Sequence, residues 1–292
     1  MNGIILVNKE KDYTSRDVVN ILGRIFNTKK IGHTGTLDPL ATGVLVICIG
    51  NATTISEVLT AHEKEYIASI ILGIETDTLD MTGNIINEKE SIIDESSIDS
   101  VLKSFIGTYN QEVPKYSAVK VDGKKLYEYA RNNEEVILPK KEVTINNIER
   151  ISNIKYENGK TIFDIKCTVS KGTYIRSLIR DIGKKLNTYG CMASLCRTRQ
   201  GNFKIEDSYT IDEIKNNKYQ VIDLNKALDD FYKVKVDNYL EKKILNGQIL
   251  DNRYETDTIL FINNKDEVLA LYKVYDKDKS KIKPWKMLKR GV

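Results

Sequence analysis

Helix-like and strand-like segments follow one another along this 292-residue chain without the regular β-α-β alternation of a parallel sheet. Short apolar or alternating runs predict strands at 3–8, 44–49, 66–72, 142–153 and 161–169. Apolar residues at helical spacing predict helices after the capping residue Thr14, over 98–106 and after Thr173. This order of elements predicts an α+β fold with a mixed sheet.

The character of the sequence changes after about residue 230. A hairpin signal, Asn263-Asn264-Lys265-Asp266, separates two apolar runs at 259–262 and 268–272. The basic residues around Trp285, the only tryptophan, are Lys277, Lys279, Lys281, Lys283, Lys286, Lys289 and Arg290. We predict a main domain over 1–230 and a small β-rich module with a basic edge over 231–292.

Charge and composition argue against several classes of protein. The net charge of +4 is mildly basic, which permits an RNA partner without requiring one. Four cysteines without a C-x-x-C pair indicate a reduced, cytoplasmic protein, and two histidines argue against a zinc hydrolase. The N-terminal apolar run is too short for a signal peptide, and no run of about 18 apolar residues predicts a membrane span.

The segment with the clearest chemical content is GHTGTLDPLATG over residues 32–43. Pro39 keeps Asp38 out of the helical conformation, and the surrounding glycines allow tight turns and the close approach of a ligand. Such a loop can hold one carboxylate at the mouth of a cleft. An ordinary Asp-Pro turn is the alternative interpretation of the dipeptide taken alone.

Five segments, in the same order along the chain, resemble the motifs of the TruB family of bacterial tRNA pseudouridine-55 synthases. They are GHTGTLDPLATG at 32–43, KEY at 64–66, QEVPKYSAVK at 111–120, SKGTYIR at 170–176 and LCRT at 195–198. The chain departs from the family where Val113-Pro114 stands in place of Pro-Pro, which we expect to alter the stiffness of a loop and not the chemistry.

The resemblance implies a pseudouridine synthase fold with a largely antiparallel central sheet, an RNA-gripping insertion over about 111–142 and a PUA-like C-terminal module. It implies that a uridine in the T loop of tRNA, position 55, is everted and isomerised to pseudouridine. The reaction breaks the N1–C1′ bond, joins C5 to C1′ and involves no redox change. We therefore expect no cofactor and no metal, a T stem-loop of tRNA as the partner, a monomer, and no obligate protein partner.

The resemblance also assigns four catalytic residues. Asp38 is the carboxylate, and Arg176 is its cationic partner, which favours the ionised form. Tyr66 stacks on the everted uracil, since a base must leave its own stack before it can react. Tyr174 lies near Asp38 and orders the pocket. The alternatives are a solvated surface cation for Arg176 and a buried strand residue for Tyr66.

Five further residues are expected to bind the substrate. His33 fills the gap that the extruded base leaves, and Leu195 forms an apolar wall of the pocket. Gly35 permits close approach of the ligand, while Lys120 and Arg180 contact phosphates. A structural loop histidine, a core leucine and a solvated charged face are the respective alternatives for His33, Leu195 and the two cations.

Three other functions compete with this interpretation. The protein could act as a tRNA-binding folding chaperone, which would not need Asp38. It could be a synthase of the same fold with another RNA target, such as a guided enzyme similar to the catalytic subunit of box H/ACA particles. A carboxylate-based nucleosidase or glycosidase would need a second acid, for which only Glu65 and Asp77 lie near in sequence.

Overall fold

A computed structural model of the chain describes residues 1–289. Arg290, which belongs to the predicted basic edge, lies outside the described residues. The first ten strands are β1 (Gly3–Lys9), β2 (Ile31–His33), β3 (Thr42–Ile49), β4 (Lys64–Leu72), β5 (Ile74–Thr76), β6 (Ile85–Glu88), β7 (Gly107–Glu112), β8 (Lys120–Val121), β9 (Lys124–Lys125) and β10 (Lys140–Arg150). The remaining strands are β11 (Lys155–Glu157), β12 (Lys160–Val169), β13 (Gly190–Gln200), β14 (Phe203–Lys204), β15 (Tyr232–Lys235), β16 (Leu250–Asp251), β17 (Thr258–Ile262), β18 (Val268–Tyr275) and β19 (Asp278–Met287).

Eight α-helices and two short 3-10 helices connect the strands of the described chain. The α-helices are α1 (Ser15–Ile25), α2 (Ser56–Thr60), α3 (Glu95–Lys103), α4 (Leu126–Arg131), α5 (Ile175–Lys185), α6 (Ile211–Lys215), α7 (Leu224–Ala227) and α8 (Asn238–Leu245). The 3-10 helices cover Gly50–Ile55 and Ile205–Asp207. Thr14 caps α1 through the reciprocal contact with Asp17 that the sequence predicts. The helix predicted over 98–106 begins earlier, because Asp94 caps it.

The central sheet has ten strands, with the main order β1-β3-β13-β4-β12-β10-β7. Every pairing in it is antiparallel except the short parallel contact between β3 and β13. The prediction of a mixed, largely antiparallel sheet is therefore confirmed. Strands β4 and β12 alternate between buried and half-buried residues, which is the pattern of a sheet with one face covered more completely than the other.

Helices α1, α3 and α5 cover one face of the sheet and form the main core with it. Val18, Leu22, Leu178 and Ile182 pack there among strand residues. The apolar side chains at helical spacing in the sequence are the ones that make these contacts. Asn158 and Gly159 form a turn, and both residues have the positive φ angles of a tight hairpin. This turn joins β11 to β12, and β10 pairs further along the same edge of β12, since β4 occupies the opposite edge.

A second, five-stranded sheet contains β15 to β19 in the order β15-β17-β18-β19-β16. The predicted hairpin at 263–266 joins β17 to β18, and Gly247 follows α8 at a positive φ of 67°, as expected for a helix-terminating glycine. Apolar residues of this sheet, including Leu260 and Leu271, share a core with Val44 and other residues on the second face of β1 and β3. The second sheet therefore packs directly against the central sheet, and the division at 230/231 stays a prediction.

Candidate active site

A cavity of about 550 Å³ opens where the loop between β2 and β3, the start of β4, the start of α5 and the chain between β7 and α4 converge. Asp38, Tyr66, Tyr174, Arg176 and Leu195 all line it. The structure thus brings together the four residues predicted to be catalytic and the predicted apolar wall. The cavity volume lies within the range that is usual for small-molecule sites in proteins.

Arg176 and Asp38 form an ion pair, with 2.9 Å between the arginine Nε and the aspartate Oδ2. The Arg176 side chain is only 7% exposed, whereas that of Asp38 is 36% exposed and faces the cavity. The guanidinium also donates to the carbonyl oxygens of Thr78, at 2.9 Å, and of Tyr116, at 3.2 Å. Arg176 is therefore a fixed, buried cation that leaves one face of the carboxylate open to a ligand.

The loop that carries Asp38 is anchored on both sides. The Ser15 hydroxyl accepts from the Leu37 amide at 2.8 Å, and the Pro39 carbonyl accepts from the Asp12 amide at 2.8 Å. These contacts attach the loop to the start of α1 and to the turn after β1. The carboxylate is thereby held on a rigid support, which a reacting group requires.

Lys9 is a buried cation beneath this loop, and sequence reasoning did not identify it. Its side chain is fully buried, and its ammonium donates to the carbonyl oxygens of Tyr13, at 2.6 Å, and Glu10, at 2.9 Å. Burial lowers the pKa of Lys9 to about 8, and the charge of Asp38 partly opposes this shift. Its position directly after a buried apolar strand was the only available signal.

Arg197 is the second buried cation that the sequence did not reveal as important. It lies on β13, where its register partners are Gly43 on β3 and Tyr66 on β4. Its guanidinium donates to the carbonyl oxygens of Val44, at 2.8 Å, and Gly35, at 3.3 Å. A Cβ atom on Gly43, whose φ is 102°, would lie 2.2 Å from the Arg197 carbonyl oxygen, so only glycine fits there.

Tyr66 and Tyr174 are both largely buried at the edge of the cavity. Burial raises the pKa of each hydroxyl, while the positive charges of Arg197 and Arg176, respectively, oppose the shift. The backbone of Tyr174 is held by Gln111, whose side chain accepts from the tyrosine amide at 2.8 Å and donates to its carbonyl at 3.1 Å. Both phenols are neutral at physiological pH and present ring surface to the cavity.

The remaining predicted substrate-binding residues occupy different places. Gly35 lines the cavity, at a φ of 125°. His33 lies on β2 outside the cavity lining; burial lowers its pKa, and its buried Nδ1 has no hydrogen-bond partner within residues 1–289. Lys120 is exposed on the β8–β9 hairpin of the insertion and does not line the cavity.

The prediction that Arg180 contacts phosphates is wrong. Its side chain is only 9% exposed, and its guanidinium is paired with Glu112 at 2.9 Å and with Asp181 at 2.9 Å. Arg176 and Arg180, four residues apart, lie on one face of α5. That face is covered by the end of β7 and the chain that follows it, so it is not solvated. Arg180 therefore joins the insertion to α5 and is not available to an RNA backbone.

Several lysines of the predicted basic edge are likewise engaged by carboxylates. The pairs are Lys281 with Asp251, Lys283 with Asp276, Lys286 with Glu57 and Lys289 with Glu267. Exposed pairs of this kind are weak, so they lower the local positive charge more than they stabilise the fold. The basic edge is therefore less available to an RNA than its sequence indicates.

Comparison with known proteins accounts for this arrangement. A model of the N-terminal domain of TruB family pseudouridylate synthases matches residues 23–175. A model of the C-terminal domain of tRNA pseudouridylate synthase B matches residues 176–244. The chain belongs to the TruB family. This membership carries isomerase chemistry that forms pseudouridine in tRNA.

Full-length relatives agree with this TruB assignment. The chain is 42% identical to tRNA pseudouridine synthase B of Staphylococcus aureus strain MSSA476 over 301 aligned positions, which cover 98% of this chain and 99% of the relative. The corresponding protein of strain Newman shows the same identity and coverage.

Solved structures with the same fold include a Cbf5-Nop10-Gar1 complex, with a TM-score of 0.72 and 26% identity over 99% of this chain and 85% of that one. An H/ACA RNP bound to a substrate RNA containing 2′-deoxyuridine gives a TM-score of 0.71 and 25% identity over 98% and 84% of the two chains. The predicted pseudouridine synthase fold is confirmed.

Two further features of this TruB protein concern ions and membranes. Within residues 1–289, no three His, Cys, Asp or Glu side chains converge in a way that could bind a metal ion. In the same residues, no helix has the length and apolar character needed to cross a lipid bilayer.

Proposed function

We propose that this TruB-family protein converts uridine 55 in the T loop of tRNA to pseudouridine, with Asp38 as the reacting carboxylate. The observation that carries the proposal is the 2.9 Å ion pair between Asp38 and the buried Arg176, at the wall of a cavity that can admit a nucleotide. An ionised carboxylate in such a place is costly unless a cation compensates it, and the pair supplies that cation.

The chemistry needs the ionised form of Asp38. The N1–C1′ bond breaks, C5 bonds to C1′, the C5 proton leaves and N1 acquires a proton. One carboxylate can promote this by attacking the base, by attacking the sugar or by removing a sugar proton. All three routes begin with the carboxylate charged and with its open face towards the nucleotide. Arg176 serves each of them by holding that charge in place.

Recognition of the base rests on the cavity walls. Eversion of a base from its stack costs a few kcal/mol, and stacking on an aromatic side chain returns roughly 1–3 kcal/mol. Tyr66 provides that ring, Leu195 the apolar wall, and Tyr174 a hydroxyl near the carboxylate. Gly35, without a side chain, lets the sugar approach the loop closely. His33 stacks in the RNA loop in place of the everted base, and Lys120 contacts a phosphate of the T arm.

The same proposal assigns a role to each part of the chain. Residues 1–230 form the catalytic domain, the insertion at about 111–142 grips the T stem-loop, and residues 231–292 form a PUA-like RNA-binding module. The protein acts as a monomer, without a cofactor and without an obligate protein partner. The S. aureus relatives, aligned over 99% of their own length, are named as tRNA pseudouridine synthases, which supports a tRNA-modifying enzyme over a synthase with another RNA target.

The test is incubation of the purified protein with unmodified tRNA, followed by carbodiimide treatment and primer extension. A new stop in the T loop at position 55 supports the proposal. A stop elsewhere would mean that the protein forms pseudouridine at a different position of the tRNA. The Asp38→Asn variant should give no stop and bind tRNA almost normally. If that variant still yields pseudouridine, the carboxylate assignment is wrong, and if the wild type yields none while binding tRNA, the chaperone function is favoured.

A further inference from the structure

The cavity that holds Asp38 is strongly unbalanced in charge. Its lining contains one carboxylate, Asp38, and five cationic side chains, which are Lys64, Lys141, Lys171, Arg176 and Arg197. The excess of four positive charges equals the net charge of the whole chain, which is +4. The charge that makes this protein mildly basic is therefore concentrated at one cavity, and only Arg176 has an acidic partner in it.

We propose that Lys64, Lys141 and Lys171, the lysine trio, bind the phosphodiester group next to the everted nucleotide. This inference rests on the function proposed above and adds a binding subsite to it. In the described residues, no member of the trio has a carboxylate oxygen within 4.0 Å of its ammonium, whereas Lys166, Arg180 and Lys286 each pair with a carboxylate. A phosphate is the anion that an RNA substrate would place at this mouth.

Lys64 forms the floor of the subsite. Its residue surface is only 6% exposed, and its ammonium donates to the carbonyl oxygens of Thr60, at 2.7 Å, and His62, at 2.5 Å. An ammonium has three donors, so one remains for a ligand in the cavity. Burial, followed by the charges of Arg197 and Lys171, lowers the pKa of Lys64 to about 8. A bound anion would relieve the cost of that buried charge.

Lys141 and Lys171 form the rim, where both side chains are exposed. They meet at Gly172, which has a φ of 83°. A Cβ atom on this glycine would lie 2.2 Å from the Lys141 ammonium, so the lysine lies directly over the backbone next to Lys171. Glu57, the carboxylate whose pKa Lys171 helps to lower, is already paired with Lys286 at 2.7 Å. Two unpaired ammonium groups thus face one opening.

The position of the trio restricts its ligand to the two phosphates that flank the reacting nucleotide. The same cavity contains Asp38 and Tyr66, which must contact the sugar and the base of the reacting nucleotide. The phosphates on either side of that nucleotide therefore lie at the cavity mouth. Phosphate contacts position a nucleic acid without reading its sequence, so the trio would hold the everted nucleotide in register with the carboxylate.

The experiment compares two double variants on a chemically synthesised T stem-loop. Lys141→Gln with Lys171→Gln removes the exposed rim, and Lys103→Gln with Lys218→Gln removes two exposed lysines that do not line the cavity. For single-stranded contacts, each lost phosphate contact lowers the salt slope by about 0.7. Because the trio binds one phosphate, the wild type should lose about 2.6-fold more affinity than the rim variant between 50 and 200 mM salt, while the control variant behaves as the wild type.

A neutral methylphosphonate at the phosphate 5′ or 3′ of the target uridine locates the contact. At one of the two positions, the methylphosphonate should weaken binding by the wild type. It should not weaken binding by the rim variant any further, because that variant already lacks the lysines that contact this phosphate. Losses that simply add at both positions overturn the inference. Equal salt slopes for the rim and control variants overturn it as well.

Lys64→Met tests the floor, with thermal unfolding as the check that the variant is folded. The folded Lys64→Met variant should likewise lose no further affinity when the methylphosphonate replaces the phosphate. A wild-type protein that leaves the uridine of the stem-loop unmodified would contradict the proposed function instead. The lysine trio is contradicted when the wild type forms pseudouridine and the rim variant keeps either the wild-type salt slope or the wild-type sensitivity to the methylphosphonate.

Discussion

Replacement of Arg176 by alanine removes the cation beside the reacting carboxylate. The side chain is nearly buried and makes the 2.9 Å contact with Asp38, and it also donates to the carbonyl oxygens of Thr78 and Tyr116. The variant therefore loses the compensating charge and two contacts that hold the neighbouring chain. We expect the chemical step to suffer much more than the binding of tRNA, because the RNA contacts extend well beyond this pair.

The expected loss of kcat follows from the distance between the charges of Arg176 and Asp38. Two unit charges 2.9 Å apart interact by about 1.4 kcal/mol in a water-like dielectric and by about 6 kcal/mol at an effective dielectric constant of 20. Arg176 is buried, but Asp38 is 36% exposed, so solvent screens the pair and an intermediate value of about 2–4 kcal/mol is appropriate. At 1.36 kcal/mol per factor of ten, kcat should fall about 30- to 900-fold.

The assay is single-turnover pseudouridine formation at saturating enzyme, with the Kd for tRNA measured separately. Arg180→Ala is the matched control, because it removes the same kind of buried, paired side chain one turn further along α5 without touching Asp38. It should lower stability and leave the rate constant of the folded fraction close to the wild-type value. Equal losses of rate in the two variants, or equal losses of rate and affinity in Arg176→Ala, would refute the pairing role.

Three further predictions concern the support of the site. Tyr66→Leu keeps a buried apolar side chain but loses the ring, so single-turnover rates should fall by a factor that reflects roughly 1–3 kcal/mol of stacking, while the melting temperature changes little. Gly43→Ala places a Cβ against the Arg197 carbonyl, and thermal unfolding should show a loss of stability of at least about 1–3 kcal/mol. Lys9 binds fewer protons in the folded than in the unfolded protein between its lowered pKa of about 8 and its ordinary value of 10.5. The free energy of unfolding should therefore rise with pH in this window more steeply in the wild type than in Lys9→Met, and parallel curves in urea titrations would contradict this.

The location of the site was accessible from the sequence, because the motif around Asp38 and the motif around Arg176 are both local. Proline after the aspartate restricts the backbone at Asp38, and Arg176 lies in the first turn of α5. The capping box at Thr14 and the hairpin turns are also local features, and the structure contains them where the sequence predicts them. Such features depend on residues a few positions apart and need no knowledge of the tertiary fold.

The buried residues that support the site could not be identified from the sequence in the same way. Lys9 and Arg197 look like ordinary charged residues in the sequence, and only the packing of distant strands buries them. Arg197 lies in the parallel pairing between β3 and β13, whose paired residues are more than 150 positions apart. Arg180 shows the opposite error: it was expected to contact phosphates, but Glu112 at the end of β7 pairs with it and helps to bury it. Whether a charged side chain is buried depends on which distant elements pack against it. The spacing of residues along one helix or strand carries no information about those elements.

The most direct measurement is the yield of pseudouridine at tRNA position 55 from wild type and Asp38→Asn, in parallel with the affinity of each for the same unmodified tRNA. A carbodiimide-dependent stop at that position with the wild type alone, at closely similar affinities, is the predicted result. Product from the asparagine variant would mean that the carboxylate beside Arg176 is not the reacting group.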